Sequence, residues 1–226
     1  MREVTAEELE EILKDRLDFV LELGILQEPK LCVKPVYKFI KAYAGDESIP
    51  EFCLIYSEAD DPDEIYVSGN SERLRKSFYY DKKIKKRINL NSELNFKLLT
   101  DSDKNLKNKF DKEKDSYLNK IFEDFIENKI YHDCGIIGVY YKYNNFTGYL
   151  AYYEIAENIR DVSYIYIGEE YRGRGYGKDL LNFFVNKNID ENKISYYSYA
   201  DGEISENLAK SCGFLPCAKR RELNIE

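Results

Sequence analysis

Hydrophobic side chains recur at helical spacing near the beginning of the chain. They are Leu9, Ile12, Leu13, Leu17, Val20 and Leu21. Because these positions lie on one face of a helix, residues 5 to 24 are predicted to form an amphipathic helix. Thr5 and Glu8 have the spacing of a capping box, and Gly24 is the expected stop signal. Two prolines follow, and the apolar segment 36 to 44 is predicted to be a short second helix.

Two runs of strand-forming residues come next, from Phe52 to Ser57 and from Glu64 to Ser68. They predict a β-hairpin that is closed by the acidic turn of residues 58 to 63. The carboxylates of this turn lack the spacing and the central glycine of a calcium-binding loop. A solvated turn is therefore predicted there.

Residues 71 to 92 are rich in basic side chains. These are Arg73, Arg75, Lys76, Lys82, Lys83, Lys85, Lys86 and Arg87, and they lie beside Phe78, Tyr79 and Tyr80. Contact with RNA or with an acidic partner is one interpretation, and a solvated helix face is the one that we favour. Because the polar segment 89 to 92 has little apolar pattern, we place a domain boundary near residue 92. Residues 1 to 92 are then an N-terminal α+β region of unassigned role.

The pattern becomes regular from Phe96 onward. Strands are predicted at 96–99, 134–143, 148–155, 162–167 and 194–199, with a last strand starting at about Phe214, and helices from Thr100, over 114–129, from about Arg174 and from about Ser205. The resulting order is β-α-α-β-β-β-α-β-α-β. It predicts an α/β (α+β) fold, a mixed β-sheet flanked by helices, for a domain of residues 93 to 226.

Composition narrows the class of protein. Charged residues make up 34% of the chain and hydrophobic residues 43%, which is typical of a soluble globular protein. No apolar run is long enough for a membrane span, and the first residues lack the apolar core of a signal peptide, so a cytoplasmic location and no membrane partner are expected. The formal net charge of −8 disfavours nucleic acid as a partner and attracts cations such as protonated amines.

Cysteine and histidine offer little for metal or nucleophilic chemistry. The five cysteines (Cys32, Cys53, Cys134, Cys212 and Cys217) have no metal-type spacing, and His132 is the one histidine. No metal site is therefore expected. His132 follows a predicted helix end, where a surface or capping role is favoured over catalysis.

A glycine-rich turn stands between the strand at 162–167 and the helix that follows it. Gly173, Gly175 and Gly177 occupy every second position. Without Cβ atoms, successive backbone N–H groups can converge on one anion, and the helix N-terminus adds the positive end of its dipole. Arg172 and Arg174, with Lys178, add formal charge. The segment is interpreted as a pyrophosphate-binding turn, although the glycine pattern alone also fits a flexible surface turn or an arginine-glycine RNA-binding segment.

A second segment about thirty residues later gives the turn a context. Residues 205 to 214 have the form Ser205-x-x-Leu208-Ala209-x-x-x-Gly213-Phe214. Together with residues 166 to 177, this segment resembles the GNAT superfamily of acyl-CoA N-acyltransferases, and the resemblance covers about residues 94 to 226. It implies acetyl-CoA as co-substrate, with Arg172, Gly175 and Gly177 around the coenzyme A pyrophosphate. The implied cofactor-binding set is Ile165, Ile167, Arg172, Gly173, Arg174, Gly175, Tyr176, Gly177, Lys178 and Ser205.

The resemblance also implies where the chemistry takes place. An amine with a pKa of about 10.4 must lose a proton before it can attack a thioester. Asp161 is the first candidate base, since histone-type members of the family carry a glutamate at this position, and Glu154 is the second. For Asp161 a turn or capping role is the favoured alternative. Many members have a tyrosine at the position of Ala209 as general acid and an asparagine at Gly202, and this sequence has neither.

The implied activity is transfer of an acetyl group from acetyl-CoA to a primary amine of a small molecule or peptide. A second copy of the chain, in a homodimer, is also compatible with the resemblance. Two rival interpretations stay open. A dinucleotide-binding enzyme would use the same glycine turn with Asp201 at the next strand end, although the glycine spacing differs from that fingerprint. A non-catalytic acyl-CoA-binding module would explain both the turn and the missing tyrosine.

Overall fold

A computed structural model describes eleven stretches of the chain, namely residues 2–15, 19–33, 37–44, 52–58, 65–68, 75–80, 87–110, 117–142, 144–200, 202–220 and 222–224. The acidic turn at 59–63, Asp201, and five of the eight basic residues between 71 and 92 lie outside these stretches.

The described strands form two sheets. The five-stranded sheet has the order β1 (Arg2–Val4), β2 (Tyr37–Ala44), β3 (Phe52–Glu58), β4 (Ile65–Ser68) and β12 (Glu222–Asn224). The seven-stranded sheet has the order β11 (Leu215–Arg220), β5 (Arg75–Tyr80), β10 (Ile194–Ala200), β9 (Ile159–Ile167), β8 (Asn145–Ala156), β7 (Cys134–Tyr141) and β6 (Leu94–Leu98). Among the described strand pairs of the larger sheet, β9–β10 alone is parallel. The predicted mixed α/β fold is thereby confirmed.

Helices flank the larger sheet. They are α1 (Ala6–Leu13), α2 (Val20–Leu31), α3 (Leu118–Phe122, which continues as a π-helical turn over Glu123–Glu127), α4 (Tyr176–Asp190) and α5 (Glu203–Ser211). Short 3₁₀ helices lie at Asp101–Leu106 and Glu169–Tyr171. One buried cluster joins α4 and α5 to the sheet, and two further clusters cover the opposite face. Both faces of the seven-stranded sheet are therefore covered.

The predicted helix over residues 5 to 24 is two helices. The capping box of Thr5 and Glu8 begins α1 as expected, but α1 ends at Leu13. Gly24 lies inside α2 and does not end a helix. A Cβ atom at Gly24 would lie 2.3 Å from the carbonyl oxygen of Ile155 in β8. The glycine is therefore required for close approach of α2 to the sheet.

Two other N-terminal predictions were wrong. The described part of the segment 36 to 44 is strand β2 (Tyr37–Ala44), and the basic segment contains strand β5 in place of a solvated helix. β2 pairs with β1 and β3 on either side, and β5 pairs with β10 and β11. Hydrogen bonds to neighbouring strands on both edges stabilise β2 and β5 as strands, and they outweigh the local sequence pattern.

The predicted boundary near residue 92 does not coincide with a boundary between the two sheets. β5 precedes residue 92 but lies inside the seven-stranded sheet, whereas β12 follows it and pairs with β4 in the smaller sheet. One buried cluster also contains residues from both parts, among them Leu54 and Ile155. The two parts of the chain are joined by strand exchange and by a shared core.

Candidate active site

The parallel strands β9 and β10 separate along their length. Their ladder consists of the pairs Ile159–Ile194, Arg160–Ser195 and Asp161–Tyr196, and the described pairing ends there. Beyond Asp161, β9 continues to Ile167 and stays paired with β8. The result is a cleft that opens between β9 and β10 towards the C-terminal ends of both strands.

The β9 edge of this cleft presents backbone groups. The Gly168 N–H donates to the Thr147 carbonyl on the β8 side at 2.9 Å. Since the hydrogen-bonding direction alternates along an antiparallel ladder, Tyr166 also bonds towards β8, while Ile165 and Ile167 point their N–H and C=O groups towards the cleft. These are the two residues that the sequence predicted to bind the coenzyme through their backbones.

The glycine turn follows β9 directly. Gly173 and Gly175 have φ angles of +75° and +83°, a region that favours glycine, and a Cβ at either position would meet nothing within 4 Å. Gly175 is the N-cap of α4. The first intrahelical bond of α4 runs from Asp179 N to Gly175 O at 3.1 Å, and no side chain of the described residues caps this end. The turn therefore leaves space and the free N–H groups of the first helical turn for an anion.

The two arginines of the turn are partly engaged by the protein itself. Arg172 donates from Nε to the Ile167 carbonyl at 3.0 Å and from Nη2 to the Tyr166 hydroxyl at 3.2 Å. Arg174 donates to the Glu170 carbonyl at 3.0 Å, and its guanidinium lies over the Tyr171 ring. Both side chains are exposed. Arg172 holds the turn against β9, Arg174 holds it against residues 170 and 171, and both keep positive charge beside it.

The remaining turn residues differ in what they expose. Tyr176 is buried and its ring lies against Tyr141 and Tyr171, so only its backbone is available to a ligand. Gly177 packs close to β9, because a Cβ there would lie 3.7 Å from the Ile167 side chain. Lys178 is exposed in the first turn of α4.

The opposite wall of the cleft is built by β10 and α5. Tyr197 is buried, and its hydroxyl is hydrogen-bonded to the side chain of Ser205 in the first half of α5. Burial raises the pKa of Tyr197 above its ordinary value, so the phenol is neutral at physiological pH. Ala209 lies one helical turn after Ser205, fully buried in the cluster that also contains Tyr197 and Phe214. The Tyr197 ring thus lies in the same cluster as Ala209, the position at which the sequence resemblance leads one to expect a tyrosine.

Asp161 lies where the two strands part. It is 2% exposed, and its Oδ1 accepts the Ser198 backbone N–H at 2.9 Å while its Oδ2 accepts the Ser198 hydroxyl. Its register neighbours on the same face are Tyr153 on β8 and Tyr196 on β10. The carboxylate therefore bridges β9 and β10 at the closed end of the cleft.

Glu154 lies near the end of β8, beside the turn that leads to β9. Its Oε1 accepts the Asn158 N–H at 2.7 Å and a hydrogen bond from Lys193 at 3.0 Å. These contacts tie the turn to the beginning of β10. Of the two candidate bases, Asp161 alone contacts a residue beyond the end of the β9–β10 ladder.

A buried ionic network lies beside Glu154. Arg160 is 6% exposed and donates through Nε and Nη2 to the two oxygens of Asp133, each at 2.9 Å. It also donates to Asn188 and Glu191 near the end of α4. Burial opposes the charge on Asp133, but hydrogen bonds from Lys193 and Arg160 outweigh it and hold the pKa of Asp133 below its usual value. This network fixes the paired ends of β9 and β10 against α4.

Other sequence candidates lie away from the cleft or outside the description. His132 is exposed, and its backbone N–H donates to the Leu31 carbonyl. Within the described stretches no group of three or more His, Cys, Asp or Glu side chains is arranged to hold a metal ion. None of the helices in those stretches combines the length and the apolar composition needed to cross a bilayer.

Sequence reasoning missed the role of Ser198. It is the polar position in the run Tyr196-Tyr197-Ser198-Tyr199, and it is the residue that Asp161 contacts. A small hydroxyl side chain within a strand of tyrosines is the signal that could have identified it. Nothing local in the sequence shows that the Tyr197 hydroxyl reaches Ser205 in α5.

Comparisons with known proteins agree with this geometry. The sequence model of the Acetyltransferase (GNAT) family matches residues 100 to 214, just over half of the chain. No curated protein sequence is significantly similar to the chain.

Solved structures share the fold at low sequence identity. A Drosophila melanogaster protein is 10% identical with a TM-score of 0.56, and the match covers 98% of this chain and 96% of that one. A GCN5-related N-acetyltransferase from Sphaerobacter thermophilus is 10% identical with a TM-score of 0.51, covering 70% of this chain and 51% of that one. A fungal glucosamine N-acetyltransferase region is 13% identical with a TM-score of 0.52, covering 70% of this chain and 21% of that one. The chain thus spans only part of the two acetyltransferases.

Proposed function

The chain belongs to the acetyltransferase (GNAT) family, and we propose that it transfers an acetyl group from acetyl-CoA to a primary amine of a small molecule or peptide. The observation that carries the proposal is the junction of β9 with α4. There the open glycine turn lies next to a strand edge whose N–H groups face a cleft. The pyrophosphate of coenzyme A requires an anion-binding turn, and its pantetheine arm requires a row of hydrogen-bond donors.

Acetyl-CoA fits the residues that form this junction. The pyrophosphate would be held by the N–H groups of residues 173 to 178, where neither Gly173 nor Gly175 places a side chain in the way. The Ile165 and Ile167 backbones would bind the amides and the thioester oxygen along the β9 edge. The thioester supplies an activated acetyl group, and the backbone donors stabilise the negative charge that develops on its oxygen when an amine attacks.

Two proton transfers accompany the reaction. The attacking amine must lose a proton, and water is the acceptor that we propose, because both carboxylate oxygens of Asp161, the predicted base at the cleft, already accept hydrogen bonds from Ser198. The departing thiolate, with a thiol pKa of about 8.5, benefits from a proton donor without depending on it. Tyr197 is our candidate donor, because it is neutral, lies on the β10 wall and is bonded to Ser205. Ala209 therefore does not by itself exclude catalysis.

A thiol-release assay tests the function. Purified protein is incubated with acetyl-CoA, and in parallel with longer acyl-CoAs, against a panel of amino sugars, amino acids, peptides and polyamines. Release of coenzyme A thiol that depends on one amine class, with an acetylated product seen by mass spectrometry, is the expected result. Reactions without amine correct for the five cysteines of the protein.

Two outcomes would overturn the proposal in different ways. Thermal stabilisation by acetyl-CoA with no thiol release from any amine would leave a non-catalytic acyl-CoA-binding module, which the missing tyrosine at Ala209 would then explain. Stabilisation by a nicotinamide dinucleotide in place of acetyl-CoA would favour the dinucleotide-binding alternative.

A further inference from the structure

At the point where β9 and β10 separate, a hydrogen bond to a side chain replaces a hydrogen bond between the two backbones. Up to Tyr196 the strands are in register. Two residues later, the Ser198 N–H points towards β9 but donates to the Asp161 carboxylate at 2.9 Å. In a continuing parallel ladder such an N–H would meet a backbone carbonyl of the neighbouring strand. The carboxylate occupies the place of that carbonyl and keeps the backbones further apart.

A second irregularity on β9 lies two residues further on. In the ladder with β8, Val162 is opposite Tyr152 and Tyr164 is opposite Ala151, so Ser163 is an extra residue on β9. Such a bulge bends the strand that carries it and increases its local twist. The bulge turns β9 away from the β10 direction immediately after the Asp161 bridge.

The environment of Asp161 favours a fixed carboxylate. The side chain is almost fully buried, between the register positions of Tyr153 and Tyr196. A buried carboxylate is tolerated when hydrogen bonds compensate for its lost hydration. Ser198 supplies two such bonds, one to each oxygen. A group held in this way is suited to setting a distance between strands.

We propose that Asp161 is a positioning residue, and that its bridge to Ser198 sets the opening of the cleft and aligns the Ile165 and Ile167 backbones for the acyl thioester. The inference rests on the proposed function for the identity of the ligand. It differs from a base role in what the residue must do, because the bridge needs an acceptor at this position and does not need a proton to be taken up.

Three variants distinguish a bridging role of Asp161 from a role as general base. Asp161→Asn keeps an oxygen that can accept the Ser198 N–H but cannot take a proton as a base. Asp161→Ala removes the bridge, and Ser198→Ala removes one of its two bonds without touching a carboxylate. Since hydrogen bonds to a charged group are worth enough to change an equilibrium by about 10- to 100-fold, losses of that order are expected where the bridge is lost.

The expected pattern lies mainly in coenzyme binding. Asp161→Ala should raise the Kd for acetyl-CoA by about 10- to 100-fold and Ser198→Ala by about tenfold, while Asp161→Asn stays within about threefold of the wild type. In turnover, the loss should appear in KM for acetyl-CoA and be independent of pH. Dominant loss of kcat in Asp161→Asn, restricted to pH below about 8, with an unaffected Ser198→Ala, would overturn the proposal and establish a base.

A readout without any ligand keeps this inference separate from the proposed function. Amide hydrogen exchange at Ser198 should be protected in the wild type and in Asp161→Asn, and fast in Asp161→Ala. Unchanged protection in Asp161→Ala would refute the bridge. If Asp161→Ala does not fold, Ser198→Ala and Asp161→Asn still decide, through acetyl-CoA binding measured by calorimetry. Failure of every amine to react would count against the acetyltransferase function alone.

Discussion

Substitution of Gly175 by aspartate tests the anion-binding turn most directly. The variant changes two things at once. It places a β-carbon on a backbone with a φ of +83°, and it adds a carboxylate to space that is open to 4 Å around the glycine. The backbone strain costs about 1 kcal/mol of stability, which corresponds to a Tm decrease of about 2 to 4 °C for a chain of this size.

Gly213 provides a matched control for the strain. It also has a φ of +83°, follows the end of α5, and a Cβ there would be 3.6 Å from the Tyr80 ring, an ordinary contact. Gly213→Asp therefore introduces the same backbone penalty and the same charge outside the turn. Any difference between the two variants in coenzyme binding reports the position of the carboxylate.

The expected loss of affinity follows from charge repulsion. A carboxylate about 5 Å from one phosphate charge contributes about 0.8 kcal/mol in bulk water and about 3 kcal/mol at an effective dielectric constant of about 20. With two phosphates and the added bulk, Gly175→Asp should weaken acetyl-CoA binding by about 3 kcal/mol, more than 100-fold in Kd. Gly213→Asp should bind as the wild type does.

Isothermal titration calorimetry with acetyl-CoA measures both constants, and thermal unfolding establishes that each variant is folded. A folded Gly175→Asp protein that binds acetyl-CoA within about threefold of the wild type, a change below about 0.7 kcal/mol, would show that the turn does not hold the pyrophosphate. Equal loss in both variants would assign the effect to backbone strain.

Three further changes test the hydrogen bond of Tyr197, the ion pair of Asp133 and the pairing of β5. Tyr197→Phe, which removes the hydroxyl bonded to Ser205, should lower kcat by about tenfold or more at constant KM if the phenol is the proton donor; unchanged kcat would exclude it. Asp133→Asn should lower the free energy of unfolding by about 3 kcal/mol, because it leaves the buried Arg160 charge without its bidentate partner; since the pKa of Asp133 is depressed in the fold, this contribution is present above its unfolded pKa of about 3.9 and is lost as pH falls through the lower folded pKa, which urea titrations between about pH 2 and pH 7 would measure. A chain that begins at Asn91 lacks β5 and should show no cooperative thermal transition, because β10 and β11 both pair with β5; a folded truncation that binds acetyl-CoA would refute this.

The sequence predicts best the part of the fold in which short connections join clear strand and helix signals. Strands β7 to β9, the glycine turn and helix α4 follow one another with short connections, so that alternation and turn residues agree. The GNAT resemblance lies in this region and in α5, and solved GCN5-related acetyltransferases share the corresponding fold.

Irregularities hid the N-terminal strands. In β2 the register shifts between Phe39 and Lys41, so Ile40 is an extra residue that breaks the two-residue alternation. The hydrophobic pattern before Ile40 and the pattern after it are each typical of a strand. Taken together across Ile40, they resemble the pattern of a short helix. In β5, basic and aromatic residues follow one another without alternation, and the pairing partners lie more than a hundred residues away. The strand conformation of β5 is therefore determined by pairing with distant strands and not by its local sequence.

The candidate site was predicted where backbone geometry follows from residue type. The glycines at 173 and 175 adopt the positive φ angles that their pattern suggests. The partner of Asp161 could not be predicted, because Ser198 is 37 residues further along the chain and meets it only through the pairing of β9 with β10. The role of Gly24 could not be predicted for the same reason. The sequence suggests a helix stop there, but the glycine is required for a close contact with Ile155, far along the chain.

The exchange of strands between the two sheets constrains how the chain can fold during synthesis. β5 lies between β10 and β11, and β12 completes the sheet that begins with β1. Neither sheet is therefore complete until β11 and β12 have emerged from the ribosome, and contacts of such long sequence separation slow folding. The nascent chain would expose the unpaired edges of β4 and β5 throughout, as sites where it could pair with another chain. We therefore expect expression yield to depend on chaperones that hold these edges during translation.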